Sequence, residues 1–85
     1  MNEIIQRVRN LLSTRLKLAQ AVDGIADDAP LFGPEGLGLD SIDALELVLG
    51  LEKEFGVVIE DRAVAVQVLT SIRTIAEFIQ SKGKG

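Results

Sequence analysis

Apolar side chains that recur every three or four residues are the feature that most constrains the fold of this chain. In the first segment they are Ile4, Val8, Leu11, Leu12, Leu16 and Ala19. This spacing places apolar residues on one face of a helix and predicts a helix over residues 2–20, with Asn2 as its cap. Similar spacing predicts three more helices, over residues 41–55, 61–69 and 72–81. Residues 57–59 are β-branched but have no partner segment, so we expect an extended link there.

Four helices without a strand predict a small all-α four-helix bundle, made of three main helices plus a short third helix. The 85 residues fit a single domain, and its core must be aliphatic because only 4% of the residues are aromatic. A long loop over residues 21–40 joins the first two helices, and its apolar residues Ile25, Leu31 and Phe32 must pack against them. We expect residues 83–85 to fray.

The helical wheel predicts which side chains face the core. In the second helix they are Ala44, Leu47, Val48, Leu51 and Phe55, and Gly56 is suited to end that helix in the left-handed conformation. In the third helix they are Val64, Val68 and Leu69. In the fourth helix, which Thr70 or Ser71 caps, they are Ile72, Ile75, Ala76, Phe78 and Ile79.

The composition argues against several classes of function. The chain has no histidine and no cysteine, so it lacks the usual protein ligands of zinc and haem, and we expect no metal site. Without cysteine there is no disulfide framework, and without a secretory signal we expect a cytoplasmic protein. No apolar run reaches the roughly 20 residues that span a membrane. The net charge of −4 argues against nucleic acid as a partner.

The acidic residues are concentrated in one part of the sequence. Residues 40–61 contain seven acidic residues and one basic residue, Lys53, whereas residues 1–20 contain four basic residues and one acidic residue. A solvated helix face would explain the acidic segment, and so would a docking surface for basic partner proteins. Ile42 and Leu49 lie together on the helical wheel, away from the core side, so we predict that they also contact partners.

The sequence Asp40-Ser41-Ile42-Asp43 follows a glycine-rich stretch and opens the second predicted helix. Asp40 and Asp43 fit a capping box, in which Asp40 accepts from the amide of Asp43. Capping does not require Ser41. Since the chain has no histidine that could activate this serine as a nucleophile, the pattern predicts a serine that another protein modifies. A phosphate ester on it would sit at the positive end of the helix dipole, within reach of unpaired amides.

The segment from Phe32 to Ile59 resembles the free-standing acyl carrier proteins, above all in Gly-Leu-Asp-Ser-Ile-Asp-Ala-Leu-Glu-Leu-Val and Leu-Glu-Lys-Glu-Phe-Gly-Val. The resemblance implies that a phosphopantetheinyl transferase esterifies Ser41 with 4′-phosphopantetheine from coenzyme A. Asp40 would help to position the Mg²⁺ ion and the transferase. The thiol of the arm would then carry acyl groups as thioesters to acyl-transfer and ketosynthase-type enzymes. The positions that would meet basic patches on these partners are Asp43, Glu46, Glu52 and Glu54.

The resemblance implies a carrier without catalytic activity of its own, which we expect to be monomeric. Lys53 stands where fatty-acid carriers usually have an acid, and Arg62 adds a second base, so these departures favour a specialised pathway. Two alternatives stay open: a carrier of aminoacyl or peptidyl groups, and a helical interaction module that is never modified. In an acyl carrier we expect the acyl chain to enter an aliphatic interior lined by Leu47, Val48, Leu51, Val64 and Val68.

Overall fold

The computed structural model describes residues 2–16, 24–32 and 39–83. Four helices run through these residues: α1 (Asn2–Leu16), α2 (Ser41–Phe55), α3 (Arg62–Val68) and α4 (Ile72–Ser81). This part of the chain contains no strand, only an isolated parallel bridge between Phe32 and Leu39. The predicted all-α bundle with a short third helix is therefore confirmed.

Two segments of the sequence analysis lie outside the described residues. They are residues 17–23, where the pattern places the end of the first helix and the start of the long loop, and residues 33–38, which include the glycine-rich stretch. Asn2 is the first residue of α1 and not its cap. The link between α2 and α3, which we expected at residues 57–59, contains neither helix nor strand.

The ends of the helices are set by local hydrogen bonds. Asp40, Asp61 and Ser71 are the N-caps of α2, α3 and α4. Of the two candidate caps for the last helix, the structure has Ser71: its Oγ accepts from the Thr74 amide at 3.1 Å, and Thr74 Oγ1 accepts from the Ser71 amide at 2.9 Å. Gly56 ends α2 with φ = 72°, a left-handed conformation that glycine adopts without steric strain.

One aliphatic core holds the helices together. α1 packs against both α2 and α4, and α3 packs against α4. The large side chains that are almost wholly removed from solvent are Val8, Leu12, Leu31, Leu47, Leu51, Ile72, Ile75 and Ile79. Burial of one such side chain stabilises the fold by about 1.5–3 kcal/mol, so these residues supply most of the driving force for folding.

The predicted inward faces are confirmed for most positions but not for Val64. Leu47, Leu51 and Phe55 of α2 are buried, whereas Ala44 and Val48 of the same helix are only half-buried. Phe78 of α4 is also half-buried. Val64 was expected in the core and is instead 38% exposed. The reason is that α3 is short and reaches the core through its C-terminal end, at Val68 and Leu69.

The described part of the long loop packs on the bundle, as predicted. Leu31 is fully buried, and its amide donates to the Thr70 carbonyl at 3.0 Å. The Asp27 carbonyl accepts from the Arg73 amide at 2.8 Å, and the guanidinium of Arg9 donates to Asp27 Oδ1 at 2.6 Å. The loop is thus fastened to α1 on one side and to the start of α4 on the other.

At the C-terminal end, Gly83 lies in a turn with φ = 69°, and its amide donates to the Gln80 carbonyl at 3.0 Å. The expected fraying of residues 84 and 85 concerns residues outside those described. None of the helices in the described ranges has the length and hydropathy that crossing a membrane requires.

Candidate functional site

The start of α2 is a rigid platform from which Ser41 projects. Asp40 Oδ1 accepts from the amides of Ile42 and Asp43 at 3.0 and 3.1 Å, and Asp43 Oδ2 accepts from the Asp40 amide at 3.0 Å. The predicted capping box is confirmed. Ser41 is exposed, and no described residue bonds its hydroxyl. The backbone at this point is fixed while the hydroxyl stays available for chemistry.

The same hydrogen bonds correct one expectation about a phosphate on Ser41. The amides of Ile42 and Asp43 are not unpaired, since Asp40 Oδ1 occupies both, and the Ala44 amide donates to the Asp40 carbonyl at 3.0 Å. Among the amides of Ser41, Ile42, Asp43 and Ala44, only that of Ser41 lacks an acceptor within the described ranges. A phosphate ester fits the exposed hydroxyl, but it is not cradled by the helix amides, because the Asp40 carboxylate already occupies them.

An open, largely apolar groove begins at Ser41. It has a volume of about 710 Å³ and lies between α2, α3 and the middle of the long loop, at Pro30 and Phe32. Besides Ser41, the residues that line it are Pro30, Phe32, Ala44, Leu45, Val48, Arg62, Ala65, Val66, Leu69 and Thr70. We call it the α2–α3 groove. Its size is within the range of about 300–1,000 Å³ that is typical of small-molecule sites.

The groove is not the interior that the sequence pattern predicts. Val48 lines it, but Leu47 and Leu51 are fully buried in the core beneath it. Val64 and Val68 do not line it either. α2 and α3 are not a closely packed pair of helices, and the space lies between them.

An apolar stripe on α2 continues away from Ser41. Ile42 and Leu49 are 70% and 40% exposed, as expected of residues that contact partners. The sequence analysis missed Leu45, which is 60% exposed and also lines the α2–α3 groove. The helical spacing of Ile42, Leu45 and Leu49 places them on one face and was the signal that could have identified it. We call these three residues the α2 stripe.

The four predicted acidic contacts are not equivalent in the structure. Glu46 pairs with Arg15 at 3.6 Å, and Glu54 pairs with Arg7 at 3.2 Å. Asp43 takes part in the capping box. Glu52 is exposed and forms no ion pair within the described residues. A basic partner therefore finds Glu52 free but must compete with the arginines of α1 for Glu46 and Glu54.

The described residues contain no group of three or more acidic side chains that could hold a metal ion. A single carboxylate oxygen is nevertheless available beside the serine. Asp40 Oδ1 is occupied by two amides, whereas Oδ2 accepts no hydrogen bond from the described part of the chain. This oxygen can contribute to a metal site only together with ligands from another molecule.

Comparison with known proteins agrees with this geometry. Residues 6–79 match the phosphopantetheine attachment site family. The acyl carrier protein of Campylobacter hominis is 33% identical over 82 residues, which cover 96% of each chain. That of Treponema pallidum is 35% identical over 96% of this chain and 97% of its own length, and that of Buchnera aphidicola is 30% identical over 96% and 95%.

A helical bundle with an exposed serine beside an apolar groove fits a carrier of a covalently attached group. The chain belongs to the acyl carrier proteins, the family whose members hold 4′-phosphopantetheine covalently. These comparisons confirm the resemblance over nearly the whole chain.

Proposed function

We propose that Ser41 carries the 4′-phosphopantetheine arm and that the protein delivers acyl thioesters to enzymes of fatty-acid, lipid or polyketide-type biosynthesis. The observation that carries this proposal is the position of Ser41: it is exposed at the first residue of α2, and it lines the apolar groove. An arm attached there starts at the mouth of a space that suits an acyl chain. The arm supplies the thiol that this cysteine-free chain lacks.

The residues around Ser41 act by positioning. Asp40 and Asp43 hold the backbone in place through the capping box, so a transferase meets the Ser41 Cα–Cβ bond in one orientation. Asp40 Oδ2 is free to contribute to the Mg²⁺ site during loading. The chain has no histidine or cysteine to act as base or nucleophile, so we infer that the reactions of the cargo take place on partner enzymes.

The α2–α3 groove would shelter the acyl chain between encounters. Ala44, Leu45, Val48, Ala65 and Val66 offer aliphatic surface on two helices. Burying a chain removes about 0.8 kcal/mol of unfavourable hydration for each methylene group, which favours a sheltered thioester over an extended one. The groove is open, so the chain can leave it without unfolding of the bundle.

Partner enzymes would dock on the α2 stripe and the acids beside it. Ile42, Leu45 and Leu49 form an apolar centre, and Glu52 offers a free carboxylate at its edge. An apolar centre with a charged rim suits brief, electrostatically steered encounters. The partners we infer are a phosphopantetheinyl transferase and acyl-transfer or ketosynthase-type enzymes with basic docking patches.

A loading assay tests the proposal. Incubation with coenzyme A, Mg²⁺ and a broad-specificity transferase should add the mass of one phosphopantetheine group. Ser41→Ala should abolish the addition, and the matched variant Ser81→Ala, which removes another exposed serine, should load like the parent. Retained loading in Ser41→Ala would overturn the assignment of the site.

A second assay separates the classes of cargo. The loaded mass of protein isolated from its native host should correspond to an acyl group on the arm. An aminoacyl or peptidyl mass would favour the carriers of amino acids, and an unmodified chain would indicate an interaction module. The apolar lining of the α2–α3 groove favours the acyl outcome.

A further inference from the structure

One of the described residues that line the α2–α3 groove carries a charge. Among the described residues that line the α2–α3 groove, Arg62 is the only one with a charge, and the polar ones are Ser41 and Thr70. The remaining lining residues are apolar. A cation in such a lining is not required to fill space, because Arg62 is exposed. Its placement therefore points to something that enters the groove with it.

Arg62 has no partner within the described part of the chain. Arg7, Arg9 and Arg15 are all bonded to carboxylates. In contrast, the Asp61 carboxylate next to Arg62 accepts from the Ala63 amide at 2.8 Å and forms no ion pair with Arg62. A positive charge in the first turn of a helix is also unfavourable with respect to the helix dipole. Neither an ion pair nor helix stability accounts for an arginine at this position.

We propose that Arg62 binds an oxyanion carried on the loaded arm. The guanidinium presents parallel N–H donors that match the two oxygens of a carboxylate or a phosphate. Two groups on the loaded arm could supply this oxyanion. One is the phosphodiester that joins the arm to Ser41, and the other is a carboxylate at the far end of an acyl group. This inference rests on the proposed function, since it requires an arm on Ser41.

The attachment of the arm makes even a weak pair effective. Ser41 and Arg62 line the same groove, so an anion on the arm is held at high local concentration near the guanidinium. A cargo with an apolar middle and an anionic end would place its methylenes against Ala44, Val48 and Leu69 and its carboxylate at Arg62. The groove would then distinguish acyl groups with a terminal carboxylate from simple fatty acyl groups of equal length.

The experiment compares four forms of the protein by NMR: unloaded, loaded with the bare arm, and loaded with hexanoyl or adipoyl groups, which have equal chain lengths. The signal to follow is the Nε–Hε resonance of Arg62, with that of Arg73 as an internal control. A shift on attachment of the bare arm assigns the anion to the phosphodiester. A shift only between the hexanoyl and adipoyl forms assigns it to the carboxylate. An Arg62 resonance that is the same in all four forms overturns the inference.

Cleavage of the thioester by hydroxylamine gives a second readout. Removing an exposed ion pair should speed cleavage by about 1.5- to 5-fold in Arg62→Gln, while Arg73→Gln should match the parent. If the phosphodiester is the anion, Arg62→Gln should speed cleavage of both acyl forms. If the terminal carboxylate is the anion, it should speed cleavage of the adipoyl form alone. Equal rates in Arg62→Gln and the parent would contradict the inference. Arg62→Lys, which keeps the charge, should show a smaller effect than Arg62→Gln.

Loading is measured first, by intact mass, so that two failures are kept apart. If Ser41 takes no arm, the proposed function is wrong, and this inference with it. If Ser41 is fully loaded and Arg62 is unaffected, only the inference about Arg62 is wrong. Arg62 is exposed, so Arg62→Gln should melt like the parent; if it did not fold, the resonances of the parent protein would still decide the question.

Discussion

Helix α2 separates two grooves of opposite character. On one side, against α1, lies a groove of about 320 Å³ lined by Arg7, Asn10, Leu11, Thr14, Arg15, Gly50, Lys53 and Glu54. On the other side lies the larger, apolar α2–α3 groove. We call the first the α1–α2 groove. α2 is thus held to the bundle along one side, whereas its other side leaves apolar surface uncovered.

Specific contacts join α1 and α2 along the α1–α2 groove. The Arg7 guanidinium lies 4.4 Å from the centre of the Phe55 ring and bonds Glu54 Oε1 at 3.2 Å. The side chain of Arg15 passes close to Gly50 and pairs with Glu46 of α2 at 3.6 Å. A Cβ on Gly50 would lie only 3.1 Å from Leu11 Cδ1 and 3.3 Å from Arg15 Nε. Glycine thus allows α1 to approach α2 closely.

The α2–α3 groove lacks comparable bonds within the described residues. No ion pair links α2 to α3, and the two helices are not closely packed. Small side chains, Ala44 and Ala65, lie in its lining. The apolar surface there can be covered by a guest without breaking any bond of the fold. Changes on the two sides of α2 should therefore have different consequences.

The largest difference in stability is expected between a variant of the core residue Leu47 and a variant of the groove residue Leu45. Leu47→Ala should destabilise the protein by about 2–5 kcal/mol, because Leu47 is fully buried and its loss leaves a cavity. Leu45→Ala, which removes the same atoms from a side chain that is 60% exposed, should change stability by less than about 1 kcal/mol. Chemical denaturation measures both. Equal losses would mean that the apolar groove is part of the core.

A second pair of variants places a valine side chain on each side of α2, in place of Gly50 or Ala44. Gly50→Val should destabilise the fold by about 1–3 kcal/mol, since its side chain collides with Leu11 and Arg15. Ala44→Val should cost no more than about 0.7 kcal/mol, the difference in helix propensity, because it extends into open space. Thermal melts of the two variants provide the test. If Ala44→Val were the more damaging, the distinction between a closely packed and a loosely packed side of α2 would be wrong.

A smaller effect on stability is expected for the ion pair between Arg7 and Glu54, which joins α1 to α2. Arg7→Gln should destabilise the protein by about 0.5–1 kcal/mol, through loss of the pair with Glu54 and of the contact with Phe55. A double-mutant cycle with Glu54→Gln should give a coupling free energy of about 0.2–1 kcal/mol that declines in high salt. Arg73→Gln serves as the control. A coupling free energy of zero in low salt would show that this ion pair does not help to hold α1 against α2.

The smallest change in stability is expected on the α2 stripe, where function should respond instead. Ile42→Ala and Leu49→Ala should stay within about 0.5 kcal/mol of the parent, because both side chains are exposed. Both should slow loading by the transferase or the transfer of acyl groups, since they remove apolar contact area. Initial rates at limiting enzyme measure this. If both variants react at the parental rate, the α2 stripe is not part of the docking surface.

Prediction from the sequence succeeded best where the signal is local. The bounds of α2 and α4 agree with the expected residues 41–55 and 72–81 because Asp40 and Ser71 cap them and Gly56 ends α2. The third helix was expected over residues 61–69 and runs over Arg62–Val68. Its buried face was wrong at Val64, since a helix of seven residues offers too little periodicity to orient it.

The sequence by itself determined the four helices, the aliphatic core and Ser41 at the start of α2, because helix caps and apolar spacing are encoded within a few neighbouring residues. Tertiary structure alone decided which acids stay free, since Glu46 and Glu54 are paired by arginines more than 30 residues away in the chain. It also decided where the groove lies. A groove is the space left between packed helices, and that space depends on how closely α1 and α3 each approach α2, which no local pattern specifies.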